Sequence, residues 1–206
     1  MSLIEDIREC ENSTVASQIE QRASEFLELG GRESTDWFVE LCFCIMTANF
    51  NALRAMSIQE RIGYGFMHMS EEDLAGELRA CGHRFPNTRA KYIVKARQKA
   101  YSLKEELLPL EREQKREWLV KNVYGLGYKE ASHFLRNVGF FDYAIIDFHI
   151  LDLLEREGVI TRPKSLSAKN YLSIEQILRG LSSELLMPLG ILDLYLWFLE
   201  TGKVLK

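Results

Sequence analysis

An all-α protein is the fold class that the sequence predicts, on three observations. Apolar residues recur at three- and four-residue spacing along most of the chain, the period of a helix with one buried face. The periodic segments open on Ser, Thr, Asp or Pro and close on Gly, the residues that satisfy or relax helix ends. No alternating run is long enough for a convincing strand; "YAIID" at 143–147 comes nearest and is short.

Each element follows from the same signs. Residues 11–31, "ENSTVASQIEQRASEFLELGG", place Val15, Ile19, Ala23, Phe26 and Leu27 on one face and end at Gly30 and Gly31, a predicted C-cap. "STDWFVELCFCIMTANF" begins with a Ser/Thr/Asp cluster and turns almost wholly apolar, which predicts a central buried helix. "NALRAMSIQERIG" is amphipathic and stops at Gly63. "SEEDLAGELRACG" opens with Ser70 and puts Glu71, Glu72 and Asp73 in its first turn, where the helix dipole favours negative charge, and stops at Gly82. Pro86 starts the next segment from an allowed first-turn position. "EREQKREWLVKNV" leads into a glycine turn, and "DFHILDLLEREG" runs from Asp147 to Gly158. Two further helices are predicted near 168–180 and 183–201, after the linker-like "ITRPKSLSAKN", for about nine or ten in all.

A chain of 206 residues makes one large domain or two small lobes, and 47% hydrophobic with 27% charged residues is the balance of a globular protein. No stretch approaches the ~20 apolar residues of a membrane span. "MSLIEDIREC" is charged from Glu5 onward, unlike a secretory signal, so the expected location is the cytoplasm. The four cysteines, Cys10, Cys42, Cys44 and Cys81, have neither a disulfide framework nor a zinc or iron–sulfur spacing. Cys42 and Cys44 read as small buried hydrophobes. The net charge is −4, yet residues 79–104 hold eight Lys and Arg and no Asp or Glu. That run is either a solvated helix face or a surface for a phosphate-lined partner.

The chemistry concentrates in "NVYGLGYKEASHFL", 122–135. Two glycines two apart, flanked by apolar positions and followed by a helical spacing through Ala131, Phe134 and Leu135, form a helix–hairpin–helix pattern. Gly125 and Gly127 are expected to adopt backbone angles closed to other residues. The turn then points amides at an anion from a helix N-terminus, a grip on nucleic-acid backbone that needs no side chain. Lys129 stands where the helix dipole disfavours a cation. That placement, with burial, lowers the cost of the free amine and suits a nucleophile. Asp147 opens the later helix, as a plain N-cap or as an ionised partner for a cationic transition state, or both. His149 either contacts a phosphate or is an ordinary surface histidine.

These residues carry a resemblance. "GLGYKEASHFLRNVG" with "AIIDFHIL" is similar to the lysine-bearing branch of the helix–hairpin–helix DNA glycosylases. "LCFCIMTANF", "GHRFPNTRAKYIV" and "LDLYLWFLETGKVLK" resemble the archaeal-type 8-oxoguanine DNA glycosylase/AP lyases, across essentially the whole chain. The resemblance implies a base-flipping enzyme acting on double-stranded DNA that contains 8-oxoguanine. Lys129 would attack the sugar, Asp147 would stabilise the developing charge, and β-elimination would nick the strand. It implies no metal and no other cofactor; the four-cysteine cluster of iron–sulfur relatives is absent. It makes Trp197 and Phe85 walls of the base pocket and brings the end of Lys206 to the base. His133, one turn after Lys129, would line the pocket as well. Asp193 either pairs with a basic residue or bonds the substrate. Asn49 would fill the gap left by the flipped base and Arg54 read its partner, or Asn49 is a helix cap and Arg54 a surface residue. The implied architecture has two helical lobes with the site in the cleft between them: 31–121 as the central lobe, and 1–30 with 122–206 as the second, carrying the hairpin at 122–138. A monomer is the simplest expectation. A glycosylase for another oxidised base and a non-catalytic DNA clamp are the competing readings; a clamp needs neither Lys129 nor Asp147.

Overall fold

A reciprocal cap starts the first helix in the computed structural model, which describes residues 2–206. Ser2 N–H donates to the Glu5 carboxylate and Glu5 N–H to the Ser2 hydroxyl, opening α1 (Leu3–Glu11). Its buried face is only Leu3, Ile7 and Cys10, too few for periodicity alone to reveal it. In α2 (Thr14–Gly31) the expected glycine C-cap does not form. Neither Gly30 nor Gly31 has a positive φ. Gly30 serves close packing instead: a Cβ there would stand 2.6 Å from the Val138 carbonyl oxygen.

The apolar segment becomes α3 (Ser34–Thr47), buried along nearly its whole length, with Cys42 and Cys44 as thiols in the core. Asn51 caps α4 (Ala52–Ile62), which ends at Gly63. α5 (Glu71–Ala80) carries its predicted acidic first turn, and α6 (Pro86–Ala96) its predicted proline. α7 (Leu103–Leu107) is short, and α8 (Arg112–Asn122) and α9 (Tyr128–Asn137) flank the glycine turn. α10 (Phe148–Arg156) begins after Asp147. α11 (Ala168–Glu184) runs straight through Gly180, which is exposed with nothing near it and so only lowers helix propensity. The break falls later than predicted, at Leu186 (φ 55) and Pro188, which bars the chain from continuing α11 into α12 (Leu189–Thr201). Among the described residues no strand forms and no single helix is long and apolar enough to cross a membrane; "YAIID" is an extended connection.

Two apolar cores result. α3 lies in the first, where Trp37, Phe38, Phe43, Phe66 and Phe134 are fully buried with side chains from α4 to α9. α1 and α2 join α10, α11 and α12 around the second, so the two ends of the chain pack together. The sequence grouped 122–138 with those ends. Its buried residues, Val123, Leu126, Ala131, Phe134, Leu135 and Val138, belong instead to the first core, because that face of α9 packs on α3.

The basic run is only partly a surface. Arg97 donates to the carbonyls of Phe66 and Met69, and buried Arg89 to that of Ala48 at 2.6 Å. Lys104 donates to Arg32 O, Lys99 pairs with Glu106, and Arg79 bonds Asn87. Several of these cations tie off buried backbone carbonyls in place of missing ladder partners.

Candidate active site

Gly125 has φ +84, and a Cβ on it would fall 2.4 Å from the Tyr92 ring of α6. Only glycine satisfies both conditions. Gly127 departs from the expectation: at φ −96 and ψ −172 it is ordinary extended backbone, and its place is the N-cap of α9. Its N–H donates to Glu130 Oε2 at 3.1 Å. Glu130 thus closes the helix start from the third position, as a capping-box acid does.

Lys129 follows, its side chain 20% exposed, with Glu130 Oε1 3.9 Å from its ammonium. The neighbouring carboxylate offsets the electropositive helix start that made this lysine look misplaced. Asp147 N-caps α10, its Oδ1 accepting from Ile150 N–H at 3.0 Å. The extended chain before it is pinned from α11. Tyr171 Oη donates to Ala144 O at 2.6 Å and accepts from Ile146 N–H at 3.2 Å. Glu175 accepts from Ala144 N–H and pairs with buried Arg116 at 2.5 Å. Arg116 also reaches the Ser132 hydroxyl on α9, at 3.3 Å. One buried network therefore joins the segment leading to Asp147 with the helix that carries Lys129.

Both side chains open on one cavity of about 670 Å³. They do not form an ion pair; the carboxylate within 4.0 Å of Lys129 is that of Glu130. Asn49, His133, His149, Asp193, Trp197 and Lys206 line the same cavity. Phe85, Arg54, Gly125 and Gly127 do not. Phe85 stands 37% exposed at the start of α6 under the guanidinium groups of Arg84 and Arg89, and Arg84 takes the place at the wall. Arg54 is held over the Phe50 ring and donates to Cys81 O at 3.3 Å. Asn49 is not the helix cap, which is Asn51; it sits exposed at φ 56, a left-handed conformation that costs a non-glycine residue energy.

The inner wall is electrostatically tight. Asp193 pairs with Arg136 at 2.5 Å, the first of its two predicted roles. Burial raises its pKa to about 7 against the pull of Arg136 and Lys129. Burial also drives the His133 pKa well down, helped by the Arg136 and Lys129 cations, so the ring is neutral; its Nδ1 has no partner. The Trp197 indole stands edge-on to His149 at 5.0 Å, its buried N–H unpaired. Lys206 sends its ammonium away from the cavity, into the first core, donating to Glu40 Oε2 at 2.7 Å and Gln59 Oε1 at 2.5 Å over the Phe43 ring. Its main chain stays at the cavity, in contact with His133. Sequence reasoning missed Glu130, Arg84, Leu53 and Phe148 as lining residues. Only Glu130 had a signal, its capping-box position three residues after Gly127.

A family profile described as "8-oxoguanine DNA glycosylase" matches residues 19–187. The chain is 49% identical to the 8-oxoguanine DNA glycosylase/AP lyase of Methanocaldococcus jannaschii over 208 residues, 100% of both proteins. It is 48% identical to the protein of the same name from Thermotoga maritima over 191 residues, 91% of each. The crystal structure of the Methanocaldococcus jannaschii glycosylase/lyase in complex with a 15mer DNA containing 8-oxoguanine matches with a TM-score of 0.96 and 48% identity, over 100% of both chains. The 8-oxoguanine DNA glycosylase of Thermotoga maritima matches with a TM-score of 0.93 and 44% identity, over 99% of this chain and 98% of that one.

Proposed function

The chain belongs to the 8-oxoguanine DNA glycosylase family, and from that premise we propose how its own residues divide the work. It is a DNA N-glycosylase and AP lyase whose substrate is DNA containing 8-oxoguanine. The observation that carries the assignment of residues is the convergence of Lys129 and Asp147 on one cavity beside the hairpin.

The damaged nucleotide leaves the duplex and enters the cavity, since its sugar carbon is out of reach inside the stack. Lys129 Nζ, as the free amine, attacks C1′; the C1′–N9 bond breaks and the base departs, taking up a proton. The Asp147 carboxylate stabilises the positive charge that develops on the sugar, and its N-cap bond holds it in place. The covalent adduct opens to a Schiff base. Loss of a C2′ proton then expels the 3′ phosphate by β-elimination, and water releases the lysine.

Recognition falls to the walls. Trp197 offers a face for stacking, and the Lys206 main chain meets the edge of the base. An acceptor there discriminates through one hydrogen on the five-membered ring of 8-oxoguanine that guanine lacks. Neutral His133 and the Arg136–Asp193 pair close the inner wall. Phe85 completes the pocket by swinging in from its lip. Asn49 and Arg54 face the opposite strand, and His149 with the hairpin amides of Gly125 and Gly127 takes backbone phosphates.

Borohydride reduction during turnover tests this. A covalent protein–DNA adduct forms with the wild type and is lost in Lys129→Gln. An adduct undiminished in that variant would remove Lys129 from the mechanism.

A further inference from the structure

Beside the hairpin, outside the cavity, lies a second concavity of about 280 Å³ lined by Lys95, Gln98, Lys99, Asn122 and Tyr124. No carboxylate lines it. Lys95 engages an aromatic face: its ammonium stands 4.1 Å from the centre of the Tyr124 ring. That contact steers the charge without neutralising it. Lys99 stands over Trp118 at 5.2 Å and shares its charge with Glu106 at 3.1 Å. Asn122 donates one amide hydrogen to Trp118 O, which orients its side chain.

The position of this pocket is as informative as its lining. Tyr124 precedes Gly125 in the hairpin, and Tyr92, one turn before Lys95 on α6, packs directly on Gly125. The two tyrosine rings stack at 6.4 Å. α6 and the hairpin are thus locked together, and the pocket keeps a fixed offset from the hairpin amides. Most cations of the 79–104 run are engaged by carbonyls, by Glu106 or by Asn87, whereas Lys95 is left on this surface. Two ammonium groups, two amides and a phenol in a shallow cup suit a phosphate diester.

We propose that this pocket takes a second backbone phosphate of the DNA, beyond the one held by the hairpin, so that the duplex is gripped at two points of one rigid unit. The proposal rests on the glycosylase reading above. A two-point grip fixes the direction in which the backbone crosses the protein, which one phosphate cannot.

Binding to an undamaged duplex, followed by fluorescence anisotropy over a range of salt concentration, provides the test. One lost phosphate contact lowers the slope of log K against log salt by about 0.9. Lys95→Gln is expected to show that loss, with weaker binding. Lys95→Arg keeps the slope. Arg8→Gln, an equal change of charge on exposed α1, keeps it as well. A Lys95→Gln slope equal to that of Arg8→Gln overturns the second grip while leaving the glycosylase intact. Absence of salt-dependent binding in the wild type overturns the enzyme reading itself, and the second grip with it.

Discussion

Asp147 caps α10, and one substitution separates that cap from the catalytic role proposed for it. Asn caps a helix as well as Asp does, so Asp147→Asn preserves the bond to Ile150 N–H and, with it, the stability of α10. It removes the charge proposed to stabilise the sugar cation. Thermal unfolding is expected to stay within about 0.5 kcal/mol of wild type, while single-turnover excision falls roughly 10²–10³-fold, the range for losing one group aimed at transition-state charge. Equal excision by both proteins would reduce Asp147 to a cap. At this scale the sequence was most legible where local backbone chemistry sets the position: Lys129 after a glycine turn, Asp147 before a helix. It was least legible where a role depends on which cavity a side chain reaches. Phe85 and Arg54 lie off the cavity: Arg84 stands over the Phe85 ring, and Arg54 stands over Phe50 and bonds Cys81 O, the last a contact 27 residues apart in sequence.

Elements deliver these residues, and the extended segment 143–146 is the one that periodicity could not describe. It has no helical or strand ladder of its own, so its backbone groups must find partners elsewhere. Tyr171 and Glu175 supply them from α11. Tyr171→Phe leaves Ile146 N–H and Ala144 O unpaired in the core and is expected to cost about 1–3 kcal/mol. Because Asp147 follows directly, kcat for excision should fall while the Kd for undamaged duplex stays at the wild-type value. A variant destabilised by that amount but fully active at low temperature would show that the clamp supports the fold alone. The helix starts were readable from Ser, Asn, Asp and Pro at their caps. The stops were less so: α2 ends at Gly31 without a glycine cap and α11 runs through Gly180, because glycine also serves close packing or merely sits exposed.

At the scale of the whole molecule the two cores share a charged seam. Asp193 and Arg136 are buried together there. The folded pKa of Asp193, about 7, lies above the ~3.9 of an unfolded aspartate, so folding binds a proton between those values. Its contribution to stability is complete at the acid end and is lost as pH rises through about 7. Urea unfolding at pH 5 and pH 8 should show wild type losing stability relative to Asp193→Asn across that interval, at up to about 1.4 kcal/mol per pH unit. A difference that does not change with pH would place the Asp193 pKa outside the interval. The all-α class was legible from hydrophobic period alone. The seam was not, since it is made by charges far apart in sequence that neutralise one another only after both cores exist.

The closing stretch of the chain adds a different property. After Gly202 (φ +70) residues 203–206 carry no helical hydrogen bonds, and Lys206 is moored to Glu40 and Gln59 at the edge of the first core. Casting off that mooring breaks a few polar contacts, the Phe43 face and the packing of Val204, and displaces no fully buried side chain. The wall of the pocket is therefore a low-energy opening unit laid over two high-energy ones. Warming is therefore expected to release residues 203–206 before either core melts, and native-state hydrogen exchange of their amides checks it.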